Sequence, residues 1–181
     1  MPIEHEAKIL DVDADILQKR ILAEGGHKHG ETLQRRYVYD IAPGDATRWI
    51  RLRDTGREIT LTIKEILHDG IDGTQETEVA VDDFEATNAI LAKLGYQPKA
   101  YQENKRVSFT LDDAEIEIDT WPRIPTYAEI EAESKEQVIA IAARLGYSED
   151  QLTGENTTKV YARYGIDLSS ITDLRFTEPT A

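Results

Sequence analysis

The chain runs to 181 residues, with 35 acidic and 21 basic side chains, a formal net charge of −14 and 40% hydrophobic content. That length suits one domain, or one domain of two similar halves, with enough apolar residues for a core that needs no staples. The absence of cysteine excludes disulfides, thiolate metal sites and cysteine nucleophiles. The acidic balance argues against a nucleic-acid polymer as partner and is compatible with divalent cations. No apolar run approaches the ~18 residues of a membrane-spanning helix, and Met1-Pro2-Ile3-Glu4-His5-Glu6 has no signal-peptide character. No membrane partner is expected, and the cytoplasm is the expected compartment.

Alternating polar and apolar residues predict a first strand over 3–10. A helix follows over 13–24, capped by Asp13 or Asp15, with Ile16, Leu17, Ile21 and Leu22 on one face and Gly25-Gly26 as its stop. His27 and His29 then fall in a predicted loop. Strands are predicted over 33–41, 47–54 and 57–66, the last two joined at Gly56, and over 75–81 after a loop carrying Asp69-Gly70 and Asp72-Gly73. A helix over 82–94 precedes strands over 105–111, 114–119 and 127–134, the first two turning at Asp112-Asp113. Helices over 134–145 and 157–164 complete a single domain over 1–168, and an irregular tail is expected over 169–181. Leu-Gly-Tyr closes two helices, at 94–96 and 145–147; it reads equally as a common helix stop and as the mark of a structural repeat.

The informative feature is what alternates. Residues i, i+2 and i+4 of a strand share a face. Glu4, Glu6 and Lys8 therefore share one, as do Arg51 with Arg53, Thr60 and Thr62 with Lys64, and Glu76 with Glu78. So do Arg106, Ser108 and Thr110, then Glu115, Glu117 and Asp119, then Glu129, Glu131 and Glu133. A single strand of this kind is what an antiparallel sheet with one wet face produces. Whole strands of one sign are different, because like charges side by side are unfavourable without a counter-charge or ligand. A barrel of ~8 strands is wide enough for one small ligand, and its apolar faces would then point outward, beneath the amphipathic helices. Carboxylates without His or Cys suit Mg²⁺ or Mn²⁺, and Arg and Lys clusters suit phosphate oxygens. A cavity lined by both matches a metal–polyphosphate complex, whose chemistry needs positioning and charge neutralisation rather than a nucleophilic side chain. The histidines are too scattered for a metal site, and Trp49 and Trp121 are expected in the outer core.

Glu4-His5-Glu6-Ala7-Lys8 matches the Glu-x-Glu-x-Lys signature of the CYTH superfamily, the triphosphate tunnel metalloenzymes. Further matching segments follow in order: Arg35-Arg36-Tyr37-Val38-Tyr39-Asp40, Ile50-Arg51-Leu52-Arg53, Leu61-Thr62-Ile63-Lys64 and Glu76-Thr77-Glu78. Lys105-Arg106, Glu115-Ile116-Glu117-Ile118-Asp119, Ala128-Glu129-Ile130-Glu131 and Lys159 complete the set. The chain resembles the class IV adenylyl cyclase and thiamine triphosphatase branch more than the short tripolyphosphatases, from whose opening it departs at Ala7 and Ile9.

The resemblance implies an α+β fold, an eight-stranded antiparallel β-barrel tunnel with covering helices. It implies phosphate binding by Arg36, Arg51, Arg53, Lys64, Arg106 and Lys159. It implies Mg²⁺ or Mn²⁺ held by Glu4, Glu6, Glu129 and Glu131, with Glu117 or Asp119 as further ligands. Lys8 would sit with the phosphate-binding residues or help position the attacking group, and Glu76 and Glu78 would orient the basic residues or bind a second metal. The expected activity is divalent-metal-dependent hydrolysis of an inorganic, nucleoside or thiamine triphosphate. The alternatives are a cyclase converting ATP to cyclic AMP and pyrophosphate, a polyphosphate sensor without turnover, and an open acidic scaffold. A triphosphate-containing small molecule is the expected partner, and a homodimer is compatible with the sequence.

Overall fold

The computed structural model describes residues 3–176; the side chains of Ile3 and Glu4 lie outside the described residues, as does the chain beyond 176. Eight strands form the body: β1 (Ile3–Ile9), β2 (His27–Asp40), β3 (Arg48–Asp54), β4 (Ile59–Ile66), β5 (Thr74–Val81), β6 (Ala100–Leu111), β7 (Ala114–Thr120) and β8 (Tyr127–Ala132). Neighbours run β6-β2-β3-β4-β5-β1-β8-β7, and β7 pairs back onto β6, so the antiparallel ring closes. The strand count exceeds the expected eight. Two-residue strands β9 (Leu152–Thr153) and β10 (Asp173–Leu174) add to β1 and, in parallel, to β6.

Two strands begin earlier than their alternation suggests. β2 starts at His27, and β6 at Ala100, where strands were expected from 33 and 105. Residues 27–32 are polar on both faces and carry no hydrophobic alternation. Pairing decides instead: β2 and β6 run together from His27↔Thr110 to Val38↔Ala100, with a register shift between Lys28 and Gly30. His27 and His29 are therefore strand residues, not loop residues.

Four helices cover the ring: α1 (Ala14–Ala23), α2 (Phe84–Lys93), α3 (Lys135–Arg144) and α4 (Thr157–Arg163). Each begins on a side chain that accepts an orphan backbone N–H: Asp13 from Ile16, Asp83 from Ala86, Ser134 from Gln137 and Asn156 from Lys159. Such caps contribute about 1 kcal/mol each. The first three helices end alike, on Gly25, Gly95 and Gly146 in the left-handed region (φ +93°, +98° and +88°). Tyr96 N–H donates to Leu91 O and Tyr147 N–H to Ala142 O. Leu-Gly-Tyr is thus a helix stop.

The apolar core lies outside the ring. α1 and α3 set Leu17, Ile21, Val138, Ile141 and Leu145 against Ala7, Ile9, Phe109, Ile116, Ile118 and Ile130. α2 sets Phe84 and Leu91 against Tyr39, Ile50 and Leu52. α4 sets Val160 and Tyr161 against Trp121 and Tyr127, joined by Leu168 and Leu174. The tail expected to be irregular over 169–181 therefore continues a 3-10 turn begun at Leu168 (Leu168–Ser170) and contributes a strand with the buried Leu174. Most strands bury their apolar faces outward beneath the helices, although Val79 of β5 and Ile63 of β4 stay exposed, and the polar faces turn into the bore. Among the described residues no helix is long and apolar enough to cross a membrane.

Candidate active site

The bore is a cavity of about 960 Å³. It is lined by Glu6 and Lys8 of β1, Arg36 of β2, Arg51 and Arg53 of β3, Lys64 of β4 and Glu76 and Glu78 of β5. Arg106 of β6, Glu117 and Asp119 of β7 and Glu129 and Glu131 of β8 complete its wall. Strand period and register bring them together. Arg36 stands opposite Arg53, Arg106 opposite Asp119, Glu117 opposite Glu129, Lys8 opposite Glu129 and Lys64 opposite Glu76.

Lys159, on α4, also lines the cavity, and its half-exposed ammonium pairs with both carboxylate oxygens of Asp69 at 2.6 and 2.5 Å. The side chain of Glu4 lies outside the described residues, although its backbone pairs with Thr74. Trp49 and Trp121, expected in the outer core, both line the bore. Trp49 shares the face of Arg51 and Arg53, and Trp121 shares that of Glu117 and Asp119; this parity was the signal available in the sequence. Trp121 also packs on Tyr161, so it serves both cavity and shell.

Acids and bases interlock. Asp119 accepts from Arg106 Nε at 2.7 Å and Arg106 Nη2 at 2.5 Å, and Glu129 accepts from Arg106 Nη2 at 2.6 Å. Lys8 bonds Glu6 and lies 3.2 Å from Glu129. Glu78 accepts from Thr62 at 2.5 Å and lies 3.4 and 3.7 Å from Arg51 and Arg53. Glu76 pairs with Lys64 and lies 3.6 Å from Arg51. Sequence reasoning missed the polar residues that aim these groups. Asn104 donates to Asp119 at 3.0 Å and accepts from Arg36, which also donates to Gln34 at 3.3 Å. Ser108 donates to Glu117 at 2.7 Å.

Positive charge is crowded locally, where Arg36, Arg51, Arg53 and Arg106 act on one another. Burial, then the charges of Arg51, Arg53 and Arg106, pull Arg36 down to about 9. Arg51 first, then burial and Arg106, pull Arg53 down to about 9. A guanidinium keeps its proton across the working pH range, so these depressions reflect burial together with repulsion among neighbouring arginines, both of which an anion would offset. Burial opposes the charge of Arg106, but Asp119 and Glu129 hold its pKa well above the ordinary value. Burial likewise opposes Lys8, yet Glu6 and Glu129 raise it, making it a fixed cation rather than a base. Burial pushes Glu129 up, but Lys8, Arg106 and Lys64 hold it well below the usual carboxylate range.

Glu117 is the exception among the acids. Burial pushes it up to about 7, against the pull of Arg106 and Ser108, with Asp119 and Glu129 adding repulsion. That is the signature of a carboxylate group short of a cation. Among the described residues no group of three or more His, Asp or Glu stands gathered as a ready metal cage; Lys8 and Arg106 hold the acids instead. The donor set nonetheless fits a hard divalent ion: it is all oxygen, and Glu117 faces Glu129 across one strand pair.

A CYTH domain family model matches residues 2–158, and the chain belongs to that family. Among solved structures, the PH1012 protein of Pyrococcus horikoshii OT3 matches with a TM-score of 0.74 at 20% identity, over 85% of this chain and 96% of its own. A candidate adenylate cyclase of Vibrio parahaemolyticus matches with 0.74 at 15% identity, over 88% and 98%. HpAC1 of Hippeastrum, a candidate adenylyl cyclase described as having a dominant triphosphatase activity, matches with 0.58 at 15% identity, over 93% and 100%. At these identities the likeness is one of fold. No curated protein matches the chain.

Proposed function

We propose that the protein hydrolyses a triphosphate, inorganic or carrying a nucleoside or thiamine, inside the bore with the help of Mg²⁺ or Mn²⁺. The observation that carries this reading is the group of four arginines, Arg36, Arg51, Arg53 and Arg106, held on one wall region despite mutual repulsion. Such a group accommodates several adjacent anionic oxygens at once.

In this reading Arg36, Arg51, Arg53 and Lys64 bind the phosphate chain, and Arg106 is aimed at it by Asp119. Glu6, Glu117, Glu129 and Glu131 would hold the cation, which when bound supplies a Lewis acid and neutralises phosphate charge. Asp119, expected as a ligand, stands fully buried behind Arg106 and is read as its orienting partner. Lys8 keeps its proton throughout and fixes Glu6 and Glu129. Glu76 and Glu78 hold Lys64, Arg51 and Arg53 in place, and Lys159 leaves Asp69 as the substrate enters.

The test is incubation with tripolyphosphate, ATP and thiamine triphosphate in the presence of Mn²⁺ or Mg²⁺, with the products separated. Orthophosphate release is the expected result. A second reading rests on Trp49, whose indole on the bore face offers a platform for a base: cyclic AMP and pyrophosphate from ATP would establish the cyclase instead. Tight tripolyphosphate binding without turnover over hours would leave a sensor.

A further inference from the structure

Beside Arg53 Nε, three buried hydrogen-bond donors on the bore wall have no acceptor among the described residues: Arg36 Nε, Trp121 Nε1 and Tyr127 Oη. All three residues line the same cavity. They are 7%, 3% and 1% exposed, respectively. A buried donor without an acceptor forfeits its hydration for nothing, so native structures rarely keep one. Three together on the wall of a cavity describe a ligand rather than an accident.

Their surroundings fix them as donors. The guanidinium of Arg36 lies 4.7 Å from the centre of the Trp121 ring; its Nη2 is spent on Gln34 and Asn104, while its Nε is buried without an acceptor among the described residues. The Trp121 ring is braced edge-on by Tyr161, at 6.3 Å and 86°, and the Tyr161 hydroxyl is itself anchored on Pro122 O at 2.7 Å. An indole N–H donates and never accepts. Burial, then Glu129 and Asp119, raise Tyr127 well above an ordinary phenol, so its proton stays on. Thr157 lies close to the Tyr127 oxygen without completing a hydrogen bond of good geometry.

We propose that Arg36 Nε, Trp121 Nε1 and Tyr127 Oη form a subsite for a terminal phosphoryl group. A terminal phosphoryl carries three non-bridging oxygens, one for each donor, whereas a bridging one offers two. The subsite rests on the triphosphate reading above and adds to it two neutral residues, chosen for hydrogen bonding rather than charge.

Nuclear magnetic resonance tests this directly, because the chain has only two indole N–H groups. Trp49→Phe assigns the pair. Titration of the full chain with inorganic tripolyphosphate should move the Trp121 indole proton downfield at saturation. Tyr127→Phe, which deletes only the unpartnered hydroxyl, should weaken tripolyphosphate binding about tenfold by calorimetry while leaving the melting temperature unchanged or raised. A Trp121 signal unmoved at saturation, or an unaltered affinity in Tyr127→Phe, overturns the subsite and leaves the triphosphate reading standing. No tripolyphosphate binding by the unmodified chain overturns both.

Discussion

Asp119 grips Arg106 with both carboxylate oxygens, at 2.7 and 2.5 Å, from the position directly opposite on the neighbouring strand. The pair is buried, and Asn104 extends it to Arg36. A basic wall built of mutually repelling guanidiniums is thus tied to one fully buried carboxylate. Asp119→Ala should lower folding stability by about 3 kcal/mol, the range for removing one partner of a buried ion pair. Urea unfolding measures this, and an unchanged midpoint would show that Glu129 alone suffices for Arg106.

Arg51→Ala combined with Arg53→Ala should weaken tripolyphosphate binding at least about 100-fold, since each charge-assisted hydrogen bond is worth roughly a factor of ten or more. The fold should survive, because Arg51 is the largest cause of the depressed pKa of Arg53 and its removal relieves that repulsion. Calorimetry and a thermal melt on the same sample separate the two effects.

Glu129→Gln with Glu131→Gln should abolish turnover that depends on Mn²⁺ while leaving metal-free tripolyphosphate binding intact or tighter. Phosphate release across a Mn²⁺ titration reads the first, calorimetry in chelator the second. Retained metal-dependent turnover would place the cation elsewhere.

Glu117 gives the unliganded protein a pH dependence of definite sign. Its carboxyl rises from 4.5 to about 7 on folding, so between these values the folded state binds more protons than the unfolded one. Its contribution is fully present below the lower value and is lost as the pH climbs through the upper one. Urea midpoints should therefore fall between pH 5 and pH 8, and Glu117→Gln should flatten that slope. Divalent metal should restore stability at pH 8 in the parent and not in the variant.

Leu174 is fully buried against α4 and pairs through β10 with Gln102 of β6. Leu174→Ala should lower stability by about 2–5 kcal/mol, as large-to-small core changes do. A loss near zero in urea unfolding would mean that the residues after α4 dock without contributing.

How much of this was legible in the sequence follows from what alternation can and cannot say. Glu115, Glu117 and Asp119 against Ile116 and Ile118 state the two faces of β7 outright, and the like-charged stripes required something between them. That was enough for the closed ring and most of its lining. It was not enough for residues 27–32, where both faces are polar and only the long partnership with β6 makes a strand. It also misled for Trp49: ring size argued for the core, while parity with Arg51 argued for the bore, and parity prevailed; Trp121 meets both expectations, packed in the shell and lining the cavity. Lys159 fits the basic pattern by type and lines the cavity, yet on helix α4 it is claimed by Asp69. The short β10 could not be anticipated, because two residues show no period.

The shell and the lining of this ring are nearly separate inventions. Leu17, Phe84, Ile116 and Ile130 hold the chain together from outside, and none of them touches the charges within. Exchanging an inward arginine or glutamate therefore leaves the outer packing unaltered. A scaffold arranged this way permits selection to revise the chemistry of its bore, position by position, without first solving the folding problem again.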